Sequence, residues 1–246
     1  MFRPILTSAV TSTLILALTA FPALADTVKF SSSDGLEITA DYEKSTTGTT
    51  IVLFHQAGSS RGEYKTIAPR LNKLGYNTLS VDLRSGRAFD GVKNETAARG
   101  AQAGKGSSFL DAKPDMLAAI SYARKLSGTK KVVIWGSSYS AALSLVIAGE
   151  GKAKISGALA FSPGEYLQGV SVESAARGIS IPTYMSSARS EVRQWQPFLK
   201  AASNIKAVGF EPQGGGRHGS SALIEGSSPN ASEYWQSVEA FLKKHF

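Results

Sequence analysis

The chain has 246 residues, with 27 basic and 19 acidic residues, no cysteine, and a formal net charge of +8. Without cysteine it cannot have a disulfide framework, a thiolate metal site or a cysteine nucleophile. The basic residues are scattered rather than clustered with aromatic ones, a pattern that argues against nucleic-acid binding. Weak attraction to an anionic envelope surface is also consistent with this charge. Composition does not determine the oligomeric state.

Residues 1–25 have the pattern of a secretory signal peptide. Arg3 is their only charged residue, an apolar stretch follows it, and the segment ends in Ala-Leu-Ala, which is typical of a cleavage site. The apolar stretch is short for a membrane span, although a retained anchor is the alternative. We predict cleavage after Ala25 and a periplasmic or secreted location. The mature chain, 26–246, would keep 26 basic and 19 acidic residues, a net charge of +7.

No composition break, repeat or long linker divides 26–246, so we predict a single domain. It opens with two alternating apolar and polar segments joined by Asp34-Gly35, a pattern that favours an antiparallel hairpin. Strand and helix patterns then alternate, which predicts an α/β fold with a mostly parallel central sheet and helices on both faces. Ligands of such sheets collect beyond the carboxyl ends of the strands. Strands are predicted at 27–30, 36–42, 50–55, 77–82, 132–135, 155–161, 181–186 and 205–210, and helices at 64–74, 111–126, 141–148, 192–202 and 232–244.

The strand at 132–135 and the apolar helix at 141–148 enclose Gly136-Ser137-Ser138-Tyr139-Ser140. Strand, tight turn and buried helix form the frame of a nucleophile elbow, G-x-S-x-G, here with serine in place of the last glycine. The residues two before and two after the nucleophile pack almost against each other, so both must be small. These flanks are Gly136 and Ser140 for Ser138, but bulky aromatic residues for Ser137. We therefore predict Ser138 as the nucleophile; an ordinary loop is the alternative.

A serine nucleophile needs a base, and the chain has three histidines, His55, His218 and His245. His218 lies in a glycine-rich loop after the predicted strand 205–210, at the edge where the elbow also opens. His245 is the penultimate residue, which we expect to be exposed, and we expect His55 to hold its own loop by hydrogen bonds. His218 is therefore the predicted base.

A carboxylate must orient the imidazole, and the chain order serine, acid, histidine requires it between Ser138 and His218. Glu191 follows the predicted strand 181–186 and is preferred. Glu165 follows the preceding predicted strand and is the alternative, because some proteins of this architecture take the acid there. Either residue could equally be a solvated glutamate.

Backbone N–H groups are needed to bind the oxyanion of an acyl-transfer reaction. One donor in an elbow enzyme is the residue after the nucleophile, here Tyr139, and the other comes from the loop after an earlier strand. That loop is His-Gln-Ala-Gly-Ser-Ser at 55–60, in which we assign the donor to Ala57, with Gln56 as the alternative. The spacing of His, Asp and Glu suggests no metal site.

Residues 85–108 are rich in glycine, alanine and charge, too polar for a large cap domain. A segment of this length is typical either of a lid or of disorder. Phe89, Tyr139 and Tyr166 are candidates for lining an acyl site, and equally for packing in the core. Without a large apolar lid, we expect short acyl groups.

Four motifs together resemble the α/β-hydrolase family, in particular its compact dienelactone-hydrolase-like members: HQAG at 55–58, GSSYS at 136–140, SARSE at 187–191 and RHG at 217–219. The chain departs from that family at Ser140, Gln56 and Glu191, and dienelactone hydrolases use a cysteine nucleophile. The resemblance implies cofactor-independent hydrolysis of a small-molecule ester or related acyl bond. A peptidase or amidase with the same triad is one alternative. A non-catalytic envelope binding module on a hydrolase scaffold is another, since fold alone does not confer activity.

Overall fold

The computed structural model describes residues 25–202 and 207–246, so the predicted signal peptide lies outside the described residues except for Ala25. The strands in this part of the chain are β1 (Asp26–Ser31), β2 (Glu37–Glu43), β3 (Thr49–Phe54), β4 (Asn77–Val81), β5 (Lys131–Ser137), β6 (Gly157–Phe161), β7 (Thr183–Ser186) and β8 (Ala207–Phe210). The helices are α1 (Ile67–Lys73), α2 (Glu95–Gln102), α3 (Lys113–Lys125), α4 (Tyr139–Glu150), α5 (Val172–Ala176), α6 (Val192–Ala201) and α7 (Ala231–His245).

The described strands form one sheet in the order β1-β2-β4-β3-β5-β6-β7-β8. β1 pairs with β2 and β2 pairs with β4 in antiparallel fashion, whereas every other neighbouring pair is parallel. This confirms the predicted N-terminal hairpin leading into a mostly parallel sheet.

Helices cover both faces of the sheet because alternate residues of the central strands point to opposite sides. Ile51 and Leu53 of β3 pack in one apolar cluster with residues of α1 and α7. Val52 and Phe54 of the same strand pack in the other cluster, with residues of α3, α4 and α6. Helix α4 is buried over its first ten residues, so the elbow leads directly into the core.

The register of the sheet brings the ends of five strands to one edge. Phe54 of β3 pairs with Gly136 of β5, and the next residue, Ser137, pairs with Phe161 of β6. Phe161 pairs with Ser186 of β7, which pairs in turn with Phe210 of β8. The loops that follow these strands carry the predicted site residues, so they leave the sheet from the same edge.

Two parts of the chain are more ordered than the sequence indicated. The segment 85–108 contains helix α2. Asn94 caps the start of this helix, because its side chain accepts a hydrogen bond from the Ala97 N–H at 2.8 Å. Thr96 ties this helix to the hairpin, because its hydroxyl accepts from the Thr39 N–H at 2.9 Å. The predicted helix at 64–74 corresponds to α1, which begins three residues later than predicted, at Ile67, and is preceded by a separate 3-10 turn at Arg61–Tyr64. Among the described residues, no helix is long and apolar enough to cross a membrane.

Candidate active site

Ser138 lies between β5 and α4 with φ +60° and ψ −119°, a conformation that L residues rarely adopt. Its N–H donates to the carbonyl of Phe161 on the neighbouring strand at 2.8 Å, and its own carbonyl accepts from Ala141 and Ala142 of α4. The chain therefore reverses at a single strained residue held by the strand before it and the helix after it. This is the backbone geometry of a nucleophile elbow.

The flanks of Ser138 explain the small residues seen in the sequence. A Cβ on Gly136 would lie 2.4 Å from the Ser140 carbonyl oxygen and 2.5 Å from the backbone of Ala141, so no larger residue fits. The Ser140 hydroxyl accepts from the Ser137 N–H at 2.8 Å and donates to the Phe54 carbonyl at 2.7 Å. Serine at the second flank thus braces the elbow against the end of β3.

His218 and Glu191 meet at the same edge. Nδ1 of His218 donates to Oε1 of Glu191 at 2.6 Å, although the loops that carry them follow different strands. This hydrogen bond raises the pKa of His218 more than its partial burial lowers it. Burial acts to raise the pKa of Glu191, but the hydrogen bonds from His218 and Ser162 outweigh it, so that pKa lies below its usual value. With Nδ1 engaged, Nε2 is the ring nitrogen left for proton transfer.

The loop of His218 also contacts the elbow. The Ser220 N–H donates to the hydroxyl of Ser137 at 2.9 Å, and a Cβ on Gly219 would lie 2.5 Å from that same hydroxyl. Within the described residues, the hydroxyl of Ser138 itself makes no hydrogen bond, to His218 or to any other group. Catalytic hydrogen bonds of unliganded enzymes often tighten only when substrate binds.

Ser162 is a site residue that the sequence did not reveal. It follows β6, is almost completely buried, and has a left-handed φ of +53° like the predicted nucleophile. Its hydroxyl donates to Oε2 of Glu191 at 2.6 Å and accepts from the Gly219 N–H at 2.8 Å. Ser162 therefore holds both the predicted acid and the loop of the predicted base.

The remaining candidates have other partners. The Glu165 carboxylate accepts from the Val172 N–H at 2.8 Å and the Glu173 N–H at 2.9 Å, at the start of α5, and none of its hydrogen bonds reaches His218. His245 was expected to be exposed, but its ring is half-buried, 4.9 Å from the ring of Phe241. That exposure prediction was wrong because α7 continues to His245 and packs it on the domain.

His55 is buried, and its burial lowers its pKa to about 4, so it is neutral near pH 7. Its Nε2 accepts from the Leu83 N–H at 2.9 Å, so Nδ1 carries the proton and donates to the Gln56 carbonyl at 2.7 Å. Because a trans peptide points its C=O and N–H in opposite directions, this bond directs the Ala57 N–H away from His55.

The two oxyanion candidates in this loop differ in their partners. The Gln56 N–H already donates to Oε2 of Glu63 at 2.7 Å. None of the hydrogen bonds among residues 25–202 and 207–246 uses the N–H of Ala57, which makes Ala57 the better candidate of the two. Tyr139 is the first residue of α4, so its N–H has no acceptor one turn earlier in the helix.

A cavity of about 380 Å³ is walled by Phe109 and Tyr166, each of which contacts a residue of the elbow or of the loop after β6. The ring of Phe109 stacks on that of Tyr139 with 4.5 Å between centroids, and the Tyr166 hydroxyl donates to the Ser162 carbonyl at 3.3 Å. Of the three expected wall residues, Tyr166 lines this cavity, whereas Phe89 and Tyr139 do not. The lining residues are uncharged: Ser107, Ser108, Phe109, Leu110, Tyr166 and Gln168.

No protein-family model matches the sequence, and a search of curated proteins finds no match. Several solved structures are similar to this one in fold. An esterase from Pyrococcus furiosus is 17% identical with a TM-score of 0.70, covering 90% of this chain and 91% of its own. Dienelactone hydrolase from Anabaena variabilis is 15% identical with a TM-score of 0.69, covering 92% of this chain and 100% of its own. The chain has the α/β-hydrolase fold. Pyrococcus horikoshii acylaminoacyl peptidase is also similar, at 15% identity and a TM-score of 0.67 over 93% of this chain and 42% of its own.

The α/β-hydrolase fold agrees with the resemblance found in the sequence, and the described residues include no separate cap domain. The residues that sequence reasoning missed are Ser162 and Glu63. Both act through contacts with residues far away in the chain, so no local pattern marks them. A serine directly after a buried strand was the one available signal for Ser162, and it is a common feature.

Proposed function

We propose that this protein is a serine hydrolase that cleaves a carboxylic ester through Ser138, His218 and Glu191. The observation that carries the proposal is the 2.6 Å hydrogen bond between His218 and Glu191, made at the sheet edge where Ser138 adopts the strained conformation of an elbow nucleophile. The three residues also occur in the chain order that this fold uses.

The reaction would proceed in two acyl transfers. Nε2 of His218 takes the proton of Ser138 while Oγ attacks the ester carbonyl carbon, and the resulting oxyanion accepts hydrogen bonds from the N–H groups of Ala57 and Tyr139. Collapse of this intermediate breaks the bond to the alcohol, which leaves with the proton from His218. Water, deprotonated by the same imidazole, then attacks the acyl-enzyme and releases the acid and free Ser138.

Glu191 would keep Nδ1 of His218 protonated and stabilise the imidazolium that forms twice in each cycle. No step requires a metal or cofactor. The cavity walled by Phe109 and Tyr166, uncharged and about 380 Å³ in volume, is suited to a small uncharged group, which supports an ester with a short acyl chain as substrate. We also propose that the protein acts outside the cytoplasm after removal of residues 1–25.

A fluorophosphonate probe tests the proposal directly, because it reacts with activated serines. We expect the mature protein to be labelled and the Ser138→Ala variant to remain unlabelled, with p-nitrophenyl acetate hydrolysis lost in parallel. The Ser137→Ala variant removes the neighbouring hydroxyl but keeps Ser138, so it should still be labelled, at a lower rate than wild type. Labelling of both wild type and Ser138→Ala, or of neither, would remove the assignment. A higher turnover of anilides than of esters would instead favour a peptidase or amidase.

A further inference from the structure

The buried carboxylate of Glu63 is bonded to neighbours of the proposed site residues but has no role in the reaction described above. Glu63 belongs to the 3-10 turn at Arg61–Tyr64 and is 1% exposed. Its Oε2 accepts from the Gln56 N–H at 2.7 Å, and its Oε1 accepts from the Ser137 hydroxyl at 2.6 Å. A buried carboxylate is costly unless it is hydrogen-bonded, and here both oxygens are.

The partners of Glu63 are direct neighbours of proposed site residues. Gln56 precedes the proposed oxyanion donor Ala57, and Ser137 precedes the proposed nucleophile. The Ser137 hydroxyl in turn accepts from the N–H of Ser220, two residues after His218, at 2.9 Å. Glu63 therefore connects the oxyanion loop to the elbow directly, and it connects both to the His218 loop through the hydroxyl of Ser137.

We propose that Glu63 is a positioning residue, which holds these three loops in one arrangement and whose negative charge supports the imidazolium form of His218 during the reaction. The inference rests on the proposed function. In this proposal Glu63, which among the described residues makes no hydrogen bond to the proposed triad residues, controls how precisely the reacting groups are placed.

Charge coupling supports this role. Burial raises the pKa of Glu63 to about 7, against the lowering effect of its hydrogen bonds and of His218. Conversely, Glu63 helps Glu191 to raise the pKa of His218. The charge of Glu63 also acts on Tyr64, beside it in the chain, and on Tyr139 of α4: burial is the main effect that raises their pKa values, and this charge raises them further. Below about pH 7 Glu63 gains a proton and its support for the imidazolium disappears.

The test compares Glu63→Gln with wild type. The amide keeps nearly the same shape but has no charge and only one accepting oxygen. We expect kcat for p-nitrophenyl acetate to fall roughly 10- to 100-fold, the magnitude typical of misplaced reacting groups. We also expect the pKa of His218, followed by NMR of its ring protons, to decrease. That titration does not depend on turnover, so it stays informative even if wild type proves to have no hydrolase activity.

The matched control is Glu239→Gln, which removes a half-buried carboxylate of α7 that pairs with Arg70 at 2.8 Å, away from the site residues. It should leave both kcat and the His218 titration as in wild type. The proposal is overturned if folded Glu63→Gln gives the same kcat and the same His218 titration as this control. A normal titration with reduced kcat would also overturn the electrostatic part.

If Glu63→Gln does not fold, Ser137→Ala decides the question. It leaves the carboxylate in place but removes the donor to Oε1 and the acceptor of the Ser220 N–H. We expect at least a tenfold lower kcat. The hydrogen bond from Ser137 is one of the effects that lower the pKa of Glu63, so its loss should raise that pKa. We therefore also expect the midpoint of the pH–activity profile to move to higher pH. An unchanged rate and pH profile in Ser137→Ala would overturn the proposal.

Discussion

Removal of the Ser162 hydroxyl should lower both stability and turnover, because this one group bonds the proposed acid and the loop of the proposed base. In Ser162→Ala, Glu191 loses the donor to Oε2, and the buried Gly219 N–H loses its acceptor. A hydrogen bond to a charged group contributes about 1.5–3 kcal/mol, and an unsatisfied buried N–H costs about 1–3 kcal/mol. Because both losses come from one hydroxyl and overlap, we expect the free energy of unfolding to fall by about 2–4 kcal/mol.

The effect on turnover should exceed what stability alone explains. Among the described residues, His218 would be the side-chain hydrogen-bond partner left to Glu191. The loop of His218 would lose its bond to Ser162 and keep the bonds of Ser220 to Ser137 and Trp135. We expect kcat to fall roughly 10- to 100-fold. Urea unfolding measures the first effect, and p-nitrophenyl acetate hydrolysis at a temperature where the variant is fully folded measures the second.

Ser162→Gly separates the hydroxyl from the backbone conformation. Glycine adopts the observed φ of +53° without strain, so this variant should be less destabilised than Ser162→Ala. Its kcat should nevertheless be as low, because the hydroxyl is missing in both. Recovery of turnover in Ser162→Gly, or wild-type turnover in Ser162→Ala, would refute the reasoning.

Two further predictions concern the proposed acid, Glu191, and its ion pair with His218. Glu191→Gln should lower kcat roughly 10²- to 10⁴-fold, whereas Glu165→Gln should remain near wild type in the same assay; the reverse result would make Glu165 the acid. In urea unfolding from pH 4 to 9, the advantage of wild type over Glu191→Gln should be greatest between about pH 4.5 and 6.5. It should fall at higher pH as His218, whose pKa is raised, loses its proton, and at lower pH as Glu191, whose pKa is lowered, gains one. A flat difference would contradict the pairing.

The sheet and its order of elements could be predicted because their signals are local. Apolar runs of the central strands, the hairpin turn at Asp34-Gly35 and the small flanks of Ser138 each reflect a constraint within a few residues. Helix α2 was missed because its sequence is polar and includes Gly100, and its order depends on contacts such as that between Thr96 and Thr39. Its capping residue Asn94, followed by Glu95, was the signal that could have indicated it.

The sequence could predict those site residues whose position follows from the chain order serine, acid, histidine and from the ends of the strands. Glu191 and Glu165 both follow parallel strands, so spacing could not separate them; the structure distinguishes them by their hydrogen-bond partners. Glu63 has the sequence appearance of a surface residue at the start of a helix. In the fold its carboxylate is buried and accepts a hydrogen bond from Ser137, 74 residues away in the chain, and no local sequence pattern indicates such a contact.

The two flanks of the elbow are unequal in what they tolerate. A Cβ at Gly136 would collide with backbone atoms, whereas the side chain at Ser140 fits and forms two hydrogen bonds. Pattern searches that demand glycine on both sides of the central serine would therefore overlook chains built in this way. A pattern with glycine required before the serine, and serine also permitted after it, would retrieve them.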